Sequence, residues 1–268
     1  RADAEGLLLV PLASLEEGKT LAAKILDSNL QPLVLEAVSP RSAASVGADL
    51  PSRHADAADG PLLLAGFAGH RAALERFVAD VSAWSGVDGA GLLKDEDAEA
   101  AMDALAGFGA AAQPVGGDEP PSGGSSGAAR RSGDGVFCHE DGRCLKALAM
   151  VPISGVWGLA KEAESLAEAA GLPLEYRIGA ARGILDLWVG PGLDPEERAA
   201  SLTAWATDLR AAAAAASGRL SVTDGLTMLA SGFDAWGEVG ASLRIMKAVK
   251  ERFDPRRTLN PGRFVGGL

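Results

Sequence analysis

"PLEYRIGAARGILDLWV", Pro173 to Val189, reads as two strands, 173 to 179 and 183 to 189, joined by the tight stretch "RIGAAR". Helical periodicity lies on either side of it, at 154 to 170 and 195 to 216, with further strands outside at 145 to 151 ("LKALAMV") and 219 to 223. The order is β-α-β-β-α-β. A hairpin at the centre of such a unit makes the sheet antiparallel and places the helices on one face, whereas a parallel doubly wound sheet needs a helix between successive strands.

The same order stands upstream. Strands are expected at about 7 to 12 ("LLLVPL"), 32 to 38 ("PLVLEAV"), 61 to 67 ("PLLLAGF") and weakly at 90 to 94, with helices at 14 to 28 and 69 to 84. Ser14 followed three residues later by Glu17 has the spacing of a capping box. The expected fold class is therefore α+β: two ferredoxin-like β-α-β-β-α-β halves sharing an antiparallel sheet, with a C-terminal helix and tail. The first half occupies residues 1–112 and the second 137–224, with 225–268 as the C-terminal region. Between the halves, 113–136 is expected to be a flexible linker or loop, because 113 to 135 hold seven Gly, three Pro and four Ser.

Composition bounds the function. The 268 residues are 47% hydrophobic, enough for a sizeable core, and no apolar run approaches the roughly 20 residues that cross a bilayer. The net charge of −11 argues against nucleic acid as a partner, since a phosphate backbone is gripped by clustered Lys and Arg. Two cysteines, Cys138 and Cys144 in "CHEDGRC", permit a disulfide but in a chain this long suggest a reducing, cytoplasmic compartment. The chain opens on Arg1 with its first strand a few residues away, so an upstream part of the natural polypeptide is expected.

Most signatures of chemistry are absent from the sequence. It has no G-x-S-x-G, no Walker A motif, and no G-x-G-x-x-G between a strand and a helix. His54, His70 and His139 are too scattered to form a metal-ligand pair, and "CHEDGRC" lacks a fourth zinc ligand, so no metal site is expected and no catalytic residue is assigned. Trp188 and Trp205 suit core positions, while Trp236, in the Gly-flanked "GFDAWGEV", is a candidate for a substrate site. Arg177 and Arg182 flank the hairpin. The plainer reading is that both are exposed strand-end residues; the functional one is that Arg182 captures a small carboxylate with its forked donors.

The C-terminus differs from the rest. From Ala241 onward seven basic residues face two acidic ones, so the tail carries +5 and the remainder −16. "ASLRIMKAVKERF" sets Leu243, Met246, Val249 and Phe253 on one helical face with a basic exterior. Asp254-Pro255 stops that helix, and Asn260-Pro261-Gly262 suits a tight turn with Gly262 at positive φ.

"AWG", a short gap, then "LRIMKAVKERFDPRRTLNPGRFVGGL" resembles the C-terminal end of the FAD-linked oxidases of the vanillyl-alcohol-oxidase type, and within them the FAD-binding subunit of glycolate oxidase. In that group a helix runs into DP, and NPGR returns the chain to the flavin domain. Asp254, Pro255, Asn260, Pro261, Gly262 and Arg263 match position for position.

The resemblance implies FAD as cofactor, held mostly by an N-terminal domain outside this sequence, with Asn260, Gly262 and Arg263 contributing from the tail. It implies a small 2-hydroxy acid, glycolate or D-lactate, as substrate. Relatives that act alone carry paired histidines bound to a metal in the cap domain, which the three histidines here do not supply. That fits a subunit working beside a catalytic flavoprotein subunit and an iron-sulfur subunit, with membrane association only through those partners. The alternative is a non-enzymatic assembly module that docks through its basic C-terminal helix.

Overall fold

The computed structural model describes residues 4–40, 42, 60–86, 91–94, 96–98, 101, 144–190, 195–262 and 264–268, without the side chains of 195–197. The expected linker 113–136, the "HEDGR" stretch, His54 and Arg263 lie outside the described residues.

Eight strands and five α-helices carry the fold among the described residues: β1 Ala4–Pro11, α1 Leu15–Asp27, β2 Val34–Val38, β3 Leu62–Gly69, α2 Arg71–Ser85, β4 Gly91–Lys94, β5 Leu145–Met150, α3 Val156–Ala169, β6 Leu174–Gly179, β7 Ile184–Val189, α4 Pro195–Ala215, β8 Arg219–Asp224 and α5 Ser242–Phe253. The strands form one sheet in the order β4-β1-β3-β2-β6-β7-β5-β8, every pairing antiparallel. Each half has the ferredoxin-like order, and the two meet at β2 and β6, where Glu36, Ala37 and Val38 pair with Gly179, Ile178 and Arg177. The α+β class and the shared antiparallel sheet are as the sequence predicts.

Local chemistry explains the elements. Ser14 caps α1 by accepting from the Glu17 amide at 3.3 Å, and the Glu17 carboxylate accepts from the Ala13 amide at 2.6 Å, one residue earlier than in the usual box. Leu15, Gly18, Leu21, Ala22 and Ile25 form the buried stripe of α1. β1 starts three residues before its apolar run, because Ala4, Glu5 and Gly6 pair with Gly69, Ala68 and Phe67. No apolar pattern announces such an extension; the ladder supplies it.

Helices α1 to α4 pack on one face. Leu8, Val10, Leu63, Ala65, Tyr176, Ile178, Leu185, Leu187, Leu220 and Val222 point from the sheet into a core shared with Phe77, Trp157, Leu202 and Trp205. Tyr176 spans that core to donate to Glu164 at 2.7 Å, and burial above all pushes its phenol far above the usual range.

The opposite face distinguishes the halves. In the first half Leu7, Leu9, Val38, Leu62 and Leu64 are buried under Ala98 and Ala101, which is why those strands read as unbroken apolar runs. In the second half the strands alternate, and the outward positions are Lys146, Leu148 and Met150 on β5, Glu175 and Arg177 on β6, and Ile184, Asp186 and Trp188 on β7.

The halves also meet helix to helix. A Cβ at Gly18 of α1 would stand 2.7 Å from Trp157 of α3 and 2.7 Å from Leu12, so glycine permits this approach. Gly18→Val is expected to destabilise the chain by about 1–3 kcal/mol in chemical denaturation, while Ala23→Val on the exposed side of α1 changes stability by less than about 1 kcal/mol. Equal effects at both positions would contradict this packing.

Candidate functional site

The outward face of the second half presents three cross-strand rows. One runs Glu36, Gly179, Ile184, Met150, Arg219; the next Val38, Arg177, Asp186, Leu148, Ser221; the last Glu175, Trp188, Lys146. Exposure falls across them. Glu175 and Trp188 are buried, Arg177 and Asp186 are half-buried, and Met150 is 52% exposed, so the open rim is the end at the β6–β7 turn.

That turn is tightly specified. Gly183 has φ +65 and its absent side chain makes room for the Val151 carbonyl, 2.0 Å from where a Cβ would sit, while the Val151 amide donates to the Gly183 carbonyl at 2.9 Å. Arg182 leaves the turn and folds back over β6. Its Nε and Nη2 lie 3.3 and 3.4 Å from the Cβ position of Gly179, and Nη2 donates to Glu36 Oε1 across the seam between the halves. Glu36 is 12% exposed and Arg182 56%, so a nearly buried carboxylate anchors a guanidinium that stays open to solvent.

Arg177 is not the exposed strand-end residue that its position suggests. It donates from Nε and Nη2 to Asp186 Oδ2 at 3.0 and 2.8 Å, directly opposite on β7, because a half-buried charge needs a partner. Beyond it, Glu175 accepts from Ser39 at 2.5 Å and Ser42 at 2.7 Å, closing the buried end of the face.

After β8 the chain turns at Gly225 and returns along the sheet edge, where the Val222 amide donates to the Ala235 carbonyl at 2.8 Å. Arg210 of α4 clamps this return. Its Nη2 donates to the Asp234 carbonyl at 2.7 Å, its guanidinium covers the Phe233 ring at 4.6 Å, and burial lowers its pKa against the opposing pull of Asp234. Trp236 follows, partly exposed, with its ring 5.6 Å from Phe264 of the tail.

The tail is folded around one carboxylate. Asp254, 5% exposed, accepts from Lys250 at 2.6 Å, from the Thr258 amide at 2.9 Å and hydroxyl at 3.2 Å, and from the Leu259 amide at 3.0 Å. Lys250 also donates to the Leu259 carbonyl at 2.6 Å. These bonds, that from Lys250 foremost, hold the Asp254 carboxyl well below the usual carboxylate range although its burial acts the other way. The result is a turn in which Arg257 and Asn260 take positive φ, 51° and 45°, and Gly262 follows at 69°.

α5 packs less deeply than its periodicity suggests. Leu243 and Met246 are half-buried, but Val249 and Phe253 are exposed together with Ile245, Phe253 at 80%. A stripe of Ile245, Val249 and Phe253 therefore faces solvent beside Arg244, Lys247 and Arg252.

Of the site residues expected from sequence, Trp236, Asn260 and Gly262 belong to one C-terminal unit through the Trp236–Phe264 contact. Arg182 stands apart, across β7, β5 and β8 from Trp236. Arg263 is not described. Glu36 and Gly179 escaped the sequence reading, though each left a signal: a charge inside the apolar "VLEAV" and a glycine just before a hairpin turn; the sequence marks Asp254 as a helix stop, but not as the acceptor that holds the tail. Among the described residues no three His, Cys, Asp or Glu cluster as metal ligands, no helix is long and apolar enough to cross a membrane, and Cys144 is disulfide-bonded.

A partly apolar sheet face bordered by charge suits one side of a planar ring with polar edges, and the Asn260–Gly262 turn offers exposed backbone where a Cβ at Gly262 would meet no atom within 4 Å. The described residues thus fit part of a flavin site and contain no phosphate-cradling loop.

The sequence matches the family "FAD linked oxidases, C-terminal domain" over residues 2–120 and 127–264. No curated protein matches it. Among solved structures it is similar to 4-ethylphenol oxidase from Gulosibacter chungangensis in its isoeugenol complex, at 15% identity and TM-score 0.58 over 97% of this chain and 53% of that one. It is similar to p-cresol methylhydroxylase with substrate bound at 15% identity and TM-score 0.59, over 98% of this chain and 53% of that one. Alkyldihydroxyacetonephosphate synthase aligns at 11% identity and TM-score 0.48, over 94% and 43%. At such identities the likeness is one of fold, and the chain spans about half the length of these structures. The family's members bind FAD, and the match runs through both halves and the tail: the chain belongs to the FAD-linked oxidases, whose C-terminal domain it forms.

Proposed function

We propose that this chain is the cap and C-terminal region of an FAD-dependent 2-hydroxy-acid oxidase or dehydrogenase subunit, acting on the CH–OH group of glycolate or D-lactate. Its partners in this reading are a catalytic flavoprotein subunit and an iron-sulfur subunit. The observation that carries it is Arg182, an exposed guanidinium fixed by Glu36 over the side-chain-free Gly179.

In this reading Arg182 takes the substrate carboxylate through the donors of its fork not spent on Glu36, and Glu36 keeps the guanidinium flat against β6. Leu148, Ile184 and Met150 keep water from the alcohol carbon. Flavin, when bound, would supply the two-electron, two-proton oxidation of the alcohol to a carbonyl. The tail then fastens the cap: the Ile245, Val249 and Phe253 stripe covers apolar surface on the flavin domain, and the Asn260–Gly262 turn reaches the cofactor's surroundings.

In the full-length, flavin-loaded protein assembled with its partner subunits, Arg182→Gln is expected to raise KM for a 2-hydroxy acid by about 10- to 100-fold with kcat changed much less and FAD content unchanged. An unaltered KM would remove Arg182 from the substrate site.

The tail gives a second test. A carboxyl whose folded pKa is depressed contributes stability above its ordinary value of 3.8, lost as the pH falls further. Amide exchange at Thr258 and Leu259, corrected for intrinsic rate, should therefore stay protected from pH 7 to 5 and lose protection in strong acid. Asp254→Asn should lose that protection at pH 7 and retain less FAD after gel filtration. Protection equal to wild type would show that the carboxylate does not hold the turn.

A further inference from the structure

The register of the sheet says what kind of 2-hydroxy acid the open rim takes. Gly179 pairs with Ile184, and Ile184 with Met150, so the guanidinium of Arg182, lying over Gly179, begins a line that continues as two apolar side chains. Neighbours in such a row stand about 5 Å apart. Met150 is 52% exposed and Ile153, just beyond it at the same rim, 47% exposed. A carboxylate held by Arg182 thus has beside it an uncovered apolar shelf about 5–10 Å long, room for roughly two to four carbons.

We infer that Ile184 and Met150 are specificity-determining residues, and that the preferred substrates are 2-hydroxy acids bearing an unbranched apolar side chain, such as 2-hydroxybutanoate to 2-hydroxyhexanoate. This rests on the reading of Arg182 as the carboxylate receptor. Glycolate has no side chain and leaves the shelf exposed to water; lactate covers little of it. Longer acids gain what each buried methylene contributes, about fourfold in affinity or kcat/KM.

The test is a chain-length series: kcat/KM of the flavin-loaded protein assembled with its partner subunits for glycolate, lactate, 2-hydroxybutanoate and 2-hydroxyhexanoate, and calorimetric Kd of the full-length, flavin-loaded chain for the non-oxidisable acetate, butanoate and hexanoate. Both should improve by about fourfold per methylene, and Met150→Gln or Ile184→Thr should reduce the slope to less than about twofold per methylene. The wild-type series decides the matter even if a variant fails to fold. Turnover that is flat or best with glycolate, or a slope unchanged in both variants, overturns the shelf and leaves the 2-hydroxy-acid reading intact. A flavin-loaded complex, assembled with its partner subunits, that oxidises no 2-hydroxy acid overturns both.

Discussion

The pairing of β2 with β6 is the constraint on which the rest depends. Three residues of β2, Glu36 to Val38, meet three of β6 and turn two ferredoxin-like units into one sheet. So short a ladder does not hold the halves alone. It is backed by α1 and α3, which approach closely because Gly18 has no side chain, and by a core running beneath all eight strands. The same seam sets Glu36 of one half beside Gly179 and Arg182 of the other. The arginine that the proposed function uses is fixed across a boundary that neither half possesses by itself.

The two halves use the same topology differently. In the first both faces of the sheet are buried, so it serves as a scaffold; in the second the helix-free face grades from buried Glu175 and Trp188 to exposed Arg182 and Met150. Charges are placed along that gradient where partners exist. Arg177 and Asp186 answer each other at the half-buried level, while Arg182 at the rim is held by Glu36 and stays open to solvent. The C-terminal unit follows a comparable rule: Asp254 collects four donor contacts so that a turn containing two non-glycine residues at positive φ is formed before it meets any partner.

Much of this was legible in the sequence. Strand and helix positions follow from apolar periodicity to within about three residues, and the hairpin at 179 to 183 determines the antiparallel order. The contrast between "LLLVPL" and "LKALAMV" already distinguishes a strand buried on both faces from one buried on a single face. The N-terminal extension of β1 was hidden because a ladder, rather than hydrophobicity, orders Ala4 to Gly6. The fate of Arg177 and the role of Glu36 were hidden for another reason. Residues 9 and 146 positions away in sequence decide them, and periodicity carries no information about which charges a fold brings together. Exposure of Val249 and Phe253 was likewise invisible, since an amphipathic stripe specifies that a helix has an apolar face, not what covers it.

The central claim is that the helix-free face of the second half, with Arg182 at its rim, is the face turned to the flavin. The most direct measurement is a crystal structure of the full-length protein with FAD bound. The account predicts the isoalloxazine ring opposite the rows of β5, β6 and β7, separated from Arg182 by no more than one small substrate, with the Asn260–Gly262 turn against the flavin domain. A ring placed against the helices α1 to α4, or a flavin domain that leaves Arg182 in open solvent, would contradict it.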